Sequence, residues 1–141
     1  MVSRTDLFVD TSGWAEVLDR TLNDHARALT LITQAVASGR RLITTSSILS
    51  ELTALFNSPL RIPKAQQIQL VRDLRNDRTI EIVFIDESLD LDAWNLWETR
   101  PDKTWSLVDC ASFVVMQRER LTEAITADHH FEQAGFVRLL M

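Results

Sequence analysis

The stretch Asp102–Phe136, DKTWSLVDCASFVVMQRERLTEAITADHHFEQAGF, constrains the fold more than any other part of the chain. A turn leads into a helix opened by Ser106 and carrying Val108, Ala111, Phe113, Val114, Val115 and Met116. Apolar residues fall on nearly every side of this helix, so it belongs inside a core. The spacing then predicts a short strand over Glu123–Thr126 and an acidic turn, Ala127-Asp128-His129. Two residues resist a purely structural account. Asp109 lies in the first turn of the buried helix. Asp128 stands just past a strand, where open α/β sheets bind ligands. A carboxylate directed into a core is costly unless it is paired or bound to a metal.

The rest of the chain repeats the alternation of strand and helix. Thr5–Val9 ends in Leu-Phe-Val, a run suited to a buried parallel strand, with Asp10 at its carboxyl end. Thr11-Ser12-Gly13 turns into a helix, with Ser12 as N-cap ahead of Trp14, Val17 and Leu18. A second helix starts at Asn23 or Asp24, carries Ala28, Leu31, Ile32, Ala35 and Val36, and ends at Gly39. Arg41–Thr44 reads as a strand, and Thr45, Ser46 and Ser47 offer caps for the helix ILSELTALF. A helix from Ile62 or Pro63 to Asn76 directs Ile68, Val71 and Leu74 inward and several basic residues outward. Ile80–Ile85 is a third strand, and Asp86 opens a helix with Leu89, Ala93, Leu96 and Trp97 on one stripe. Val137–Leu140 is a last strand. This order predicts βαβ units, a mainly parallel sheet, and strand carboxyl ends gathered on one side by right-handed crossovers.

At 141 residues the chain is expected to form a single domain, 1–141, with one core. No apolar run is long enough to span a bilayer, and MVSRTDLFVD has no export-signal hydrophobic region. The single cysteine, Cys110, suggests a reducing compartment, with the cytoplasm as the default, and its apolar helix makes it a small buried hydrophobe. The net charge of -5 argues against a strong nonspecific nucleic-acid binder, but not against a nuclease whose metals bridge its acids to phosphate.

A further acid lies on the third helix. Ile48, Leu52 and Leu55 mark its apolar stripe, and Glu51 falls on it. Asp10, Glu51, Asp109 and Asp128 thus all belong near strand carboxyl ends and are able to share one cleft. Each also has a structural reading: Asp10 as a turn residue, Glu51 as a solvent-edge residue, Asp109 as a capping-box partner, Asp128 as the cap of the helix containing Phe131. Together, with no Arg or Lys beside them in sequence, they suit Mg²⁺ or Mn²⁺ and phosphoryl chemistry.

At this point the sequence resembles a PIN domain, and within that family the VapC-type toxins of toxin–antitoxin pairs. The matching segments are LFVDTSGW, TTSSILSEL, WSLVDCASFVV and ITADHHFEQAGF, in the expected order across the whole chain. The resemblance implies a Rossmann-like α/β/α sandwich and a Mg²⁺- or Mn²⁺-dependent endoribonuclease. Asp10, Glu51, Asp109 and Asp128 would be its acidic quartet, supported by the hydroxyls of Ser12 and Thr126. It also implies an RNA substrate and a small antitoxin partner. Self-association, as a homodimer, is expected from Trp94, Trp97, Phe56 and the surface from Leu22 to Val36.

Other readings are weaker. Zinc at His129-His130 is disfavoured because adjacent side chains point apart and no H-x₃-H or C-x₂-C partner exists. Trp94 and Trp97, at i and i+3 beside Leu96, are read as either core or partner-binding, with the periodicity favouring the core. Arg61, Lys64, Arg72, Arg75 and Arg78 are read as a solvated face rather than an RNA track. A receiver-like module would want paired acids after its first strand, and Asp10 is followed by Thr11 and Ser12. A non-catalytic binding module would not need four inward acids. An RNA-processing nuclease without a toxin role uses the same site.

Overall fold

The computed structural model describes residues 5–141; the sequence reading of the amino terminus lies in part, at residues 1–4, outside them. Among the described residues, five strands form one parallel sheet in the order β3-β2-β1-β4-β5. They are β1 (Leu7–Val9), β2 (Leu42–Thr45), β3 (Ile80–Val83), β4 (Glu123–Ile125) and β5 (Val137–Arg138). The central strands are covered on both faces, and Leu7, Phe8, Val9, Leu42, Ile43, Ala124 and Ile125 are almost fully buried. The chain steps outward from β1 through β2 to β3, then returns across the sheet to β4 and β5. Strand order therefore reverses beside β1, which opens a crevice at the carboxyl ends of β1 and β4.

Helices α1 (Thr11–Leu18) and α2 (His25–Ala37) connect β1 to β2. Helices α3 (Ser46–Asn57) and α4 (Lys64–Asn76) connect β2 to β3. The return passes through α5 (Glu87–Thr99) and α6 (Leu107–Arg118), and the short α7 (His130–Gln133) leads to β5. The fold is an α/β/α sandwich around an all-parallel sheet. Among the described residues, no helix is long and apolar enough to cross a membrane.

Local rules account for most element ends. The Thr45 hydroxyl caps α3 through the amide of Ile48, and the Asp86 carboxylate caps α5 through Leu89. Gly39, at φ +78°, takes the left-handed conformation just beyond α2, where a side chain would be strained. Gly13 has a different reason. A Cβ there would stand 2.1 Å from the carbonyl oxygen of Ile125, so its lack of a side chain lets α1 start directly against β4.

Several expectations are corrected. Helix α1 begins at Thr11, straight out of β1, so Asp10 holds the N-cap position and Ser12 lies within the first turn. On α4, Gln67 is buried and Ile68 is exposed. The Gln67 amide donates to Asn57 Oδ1 and to the Ile62 carbonyl, both at 2.8 Å, and this turns the helix so that Ile68 faces water. Trp94 and Trp97 are 41% and 46% exposed rather than core, packed edge to face with ring centroids 5.6 Å apart. Leu89 and Ala93 take the buried face of α5 against α6, leaving no room for the larger rings. Phe56, expected at a surface, is fully buried on the face of α3 that carries Ile48 and Leu52.

Candidate active site

Cys110, Ala111, Phe113, Val114, Val115 and Met116 are all buried, so α6 is embedded as its composition requires. Burial pushes the Cys110 thiol up to about 11, which leaves it protonated and unreactive. The first turn of α6 is nevertheless polar. Ser106 Oγ accepts from the Asp109 amide at 3.0 Å, and the Ser106 amide donates to Asp109 Oδ2 at 3.1 Å. This capping box is the structural reading of Asp109, and it does not exclude the other. The same carboxylate lines an open cleft of about 580 Å³ with Asp10, Glu51 and Asp128.

The strand side of the cleft is closely tied. Thr126 Oγ1, at the end of β4, donates to Asp10 Oδ2 at 2.8 Å. Ser12 Oγ lies 3.4 Å from the same oxygen and 3.2 Å from Thr126 Oγ1. The amide of Ala127 donates to Ser12 Oγ, and that of Asp128 to Thr126 Oγ1, both at 3.0 Å. Two hydroxyls therefore fasten Asp10 to the turn that carries Asp128. On the opposite side, Glu51 is exposed along the flank of α3, because the buried stripe is Ile48, Leu52 and Phe56 rather than one that includes it. Thr11 Oγ1 reaches its Oε1 at 2.7 Å.

The electrostatics are those of an uncompensated acidic site. Burial raises the Asp10 carboxyl to about 6, against the hydrogen bonds from Thr126 and Thr11, with the charges of Asp109 and Glu51 adding to the rise. Asp109 is raised first by burial and then by Asp128, and Glu51 by burial and by Asp109 and Asp128. Among the described residues, no Lys or Arg lines the cleft. Oxygen donors held together without a protein cation fit a hard divalent ion such as Mg²⁺ or Mn²⁺. The strongly raised Asp10 shows the free-energy cost that such an ion would relieve.

The sequence reading missed His130. Its Nδ1 stands 3.1 Å from Asp109 Oδ2 and 3.2 Å from Asp128 Oδ1. The expectation that the tandem histidines point apart is corrected as well: their rings lie 4.4 Å apart at centroids, because the backbone enters α7 at His129 instead of continuing as a strand. Donor atoms of Asp128, His129 and His130 lie within 4.8 Å of one another. The signal for His130 was its neighbour. Phe131 is fully buried against Phe8 and Phe113, which leaves the residue before it at the cleft.

The strand-order reversal of this parallel sheet gathers four carboxylates and two hydroxyls at the place where open α/β domains bind their ligands. Residues 7–137 match the PIN domain, and the chain belongs to the PIN-domain family. It is similar to the 23S rRNA-specific endonuclease VapC20 of Mycobacterium tuberculosis, with 28% identity over 134 residues, 94% of this chain and 97% of the relative. The crystal structure of that VapC20, described as a sarcin–ricin loop cleaving toxin, superposes with a TM-score of 0.80 at 26% identity over 94% of this chain and 97% of that one. The structure of FitAcB from Neisseria gonorrhoeae shares the fold, with a TM-score of 0.64 and 16% identity over 94% of each chain.

Proposed function

We propose that the chain is a divalent-cation-dependent endoribonuclease and the toxin of a toxin–antitoxin pair. The observation that carries this reading is the meeting of Asp10, Glu51, Asp109 and Asp128 in one cleft that no Lys or Arg among the described residues lines. RNA is a polyanion, and an acidic cleft would repel it unless a cation came between. When bound, Mg²⁺ or Mn²⁺ supplies that charge and polarises the reacting phosphate. Asp10 and Asp109 would be its main ligands. Glu51 and Asp128 would complete the site, directly or through water, and help position the attacking water. Thr126 and Ser12 hold Asp10 in place through the bonds at 2.8 and 3.4 Å. The relatives named VapC20 make the sarcin–ricin loop of 23S rRNA the first substrate to test.

The partners follow from the same resemblance and from the surface. Leu91, Trp94 and Trp97 on α5 and Phe84 beyond β3 are exposed apolar groups. Such groups commonly lie at interfaces. We assign them to self-association and to a small antitoxin. A monomer by light scattering at high concentration, with no small protein recovered on a tagged chain, would remove both assignments. The buried, unpaired Cys110 suits a reducing cytoplasm.

The deciding experiment is Asp109→Asn. Asn keeps the shape and still accepts a hydrogen bond from the Ser106 amide, so a residue that is only a cap would lose at most about 1 kcal/mol and leave cleavage intact. A cation ligand would lose cleavage by orders of magnitude in a folded protein. The assay is Mn²⁺-dependent cleavage of structured RNA, with EDTA as control and circular dichroism for the fold. Wild-type cleavage by the variant would overturn the assignment.

A further inference from the structure

His130 belongs to none of the roles above, yet it touches two of the four acids. Its side chain is largely buried, at 17% exposure, and crosses from the start of α7 to the first turn of α6. An ionised carboxylate only accepts hydrogen bonds, so the Nδ1 between Asp109 Oδ2 and Asp128 Oδ1 carries the hydrogen. That N–H donates to Asp109 on α6 and stands within ion-pair distance of Asp128 in the turn before α7. The far nitrogen, Nε2, lies 3.2 Å from the Thr104 hydroxyl on the loop before α6. The backbone amide of His130 also donates to Asp128 Oδ1 at 2.9 Å. Phe131, packed against Phe8 and Phe113, fixes the backbone from which the ring projects.

We infer that His130 is a positioning residue, whose Nδ1–H on Asp109 and backbone amide on Asp128 hold the two carboxylates together so that both serve one divalent cation. This rests on the reading of the cleft as a cation site. Two like charges repel, and two donors on one residue offset that repulsion while taking one oxygen from each. Asp109 Oδ1 and Asp128 Oδ2 then have no protein hydrogen-bond partner among the described residues, and stay available to a cation. The competing role is that His130 is itself a ligand, as the grouping of Asp128, His129 and His130 donors permits. Geometry favours positioning. A nitrogen that carries its hydrogen toward Asp109 has no lone pair for a metal, and the other nitrogen is occupied by Thr104.

Three substitutions separate these roles in the full chain. His130→Asn puts an amide N–H where Nδ1 stood, His130→Gln puts one near Nε2, and His130→Leu supplies neither. Mn²⁺ affinity is read by titration calorimetry and by the Mn²⁺-induced rise in melting temperature, with circular dichroism for the fold. His130→Leu and His130→Gln are expected to bind Mn²⁺ roughly 10- to 100-fold more weakly, and His130→Asn to stay within about threefold of wild type. The Mn²⁺ concentration for half-maximal RNA cleavage should move in the same order, with the KM for RNA unchanged at saturating Mn²⁺. His130→Leu binding as tightly as wild type would overturn the role. So would His130→Asn binding as weakly as His130→Leu, which would make the imidazole a ligand. If His130→Leu does not fold, the Asn and Gln variants decide: equal affinities overturn the inference. Asp109→Asn in the same titration separates the two levels. Normal Mn²⁺ binding there removes the cation site itself, whereas loss there with none in His130→Leu removes only the role of His130.

Discussion

On the strand side of the cleft, Asp10, Ser12 and Thr126 share hydrogen bonds with the amides of Ala127 and Asp128. On the α3 side, Glu51 stands on an exposed helix flank with the Thr11 hydroxyl as its partner. Both walls face the same space. The first is anchored in parallel strands whose residues are nearly all inaccessible, so its carboxylate keeps one position at the cost of a raised pKa. The second is reached by a long side chain with rotamer freedom. The difference suggests a division of labour in which the strand wall sets cation geometry and the α3 wall adjusts to what is bound.

The largest effect tests this division directly. Asp10→Asn should abolish Mn²⁺-dependent cleavage, by on the order of 10³ or more, as removal of a transition-state electrostatic contact does. Combining it with Asp109→Asn should add little, because groups acting as a unit are not additive. Glu51→Gln should lose less, and tenfold more Mn²⁺ should restore part of its activity and none of that of Asp10→Asn. Equal losses under both conditions would mean that the walls contribute alike.

Next in size is the support beneath the strand wall. Gly13→Ala drives a methyl group against the Ile125 carbonyl, where backbone cannot yield as a flexible side chain would. Destabilisation of about 3 kcal/mol is expected in a thermal or urea melt, at the upper end of the usual overpacking cost. A variant with wild-type stability would show that α1 slides easily on β4 and that the wall is softer than described.

The pH dependence of the metal-free protein is smaller once solvent relaxation is allowed for. The native pKa of Asp10, about 6, lies above its unfolded value near 3.8. Between these values the native state holds a proton that the unfolded state has lost, so stability falls as pH rises through the window. The ceiling is about 3 kcal/mol for a shift of this size. Melts in EDTA from pH 4 to pH 7 should show the decline, and Asp10→Asn should flatten it. Saturating Mn²⁺ should oppose it, because the cation prefers the ionised carboxylate. A rising profile in EDTA would contradict the buried-charge account.

The smallest effect belongs to the α3 wall. Thr11→Val removes the hydroxyl 2.7 Å from Glu51 and little else. Stability should change by less than about 1.5 kcal/mol, the usual worth of one hydrogen bond near solvent. The cleavage rate should fall only a few-fold. A collapse of activity as deep as that of Asp10→Asn would show that Glu51 is as rigidly required as the strand carboxylates.

Much of this architecture was legible in the sequence because its causes are local. The Leu-Phe-Val run before Asp10, the Ser106–Asp109 capping box and the all-round apolar pattern of α6 each act within a few residues. The order of strands and helices then restricts the sheet to parallel pairing, and chirality brings the carboxyl ends to one side. The positions of Asp10, Asp109 and Asp128 follow from that. Trp94 and Trp97 show where local pattern stops: their spacing allows either face of α5, and the packing of Leu89 and Ala93 against α6 decides.

The sequence by itself determined which elements form, their order, and which acids stand at strand ends, since backbone geometry and hydrophobic period are written in neighbouring residues. Tertiary structure alone decided how those acids are held. The Thr126–Asp10 bond joins residues 116 positions apart, Thr11 meets Glu51 across 40, and His130 reaches Asp109 across 21. Contacts over such separations depend on how strands register and helices rotate against one another. No local rule reaches that far, so the bridging histidine and the close approach of Gly13 to Ile125 emerge only once the sheet has closed around them.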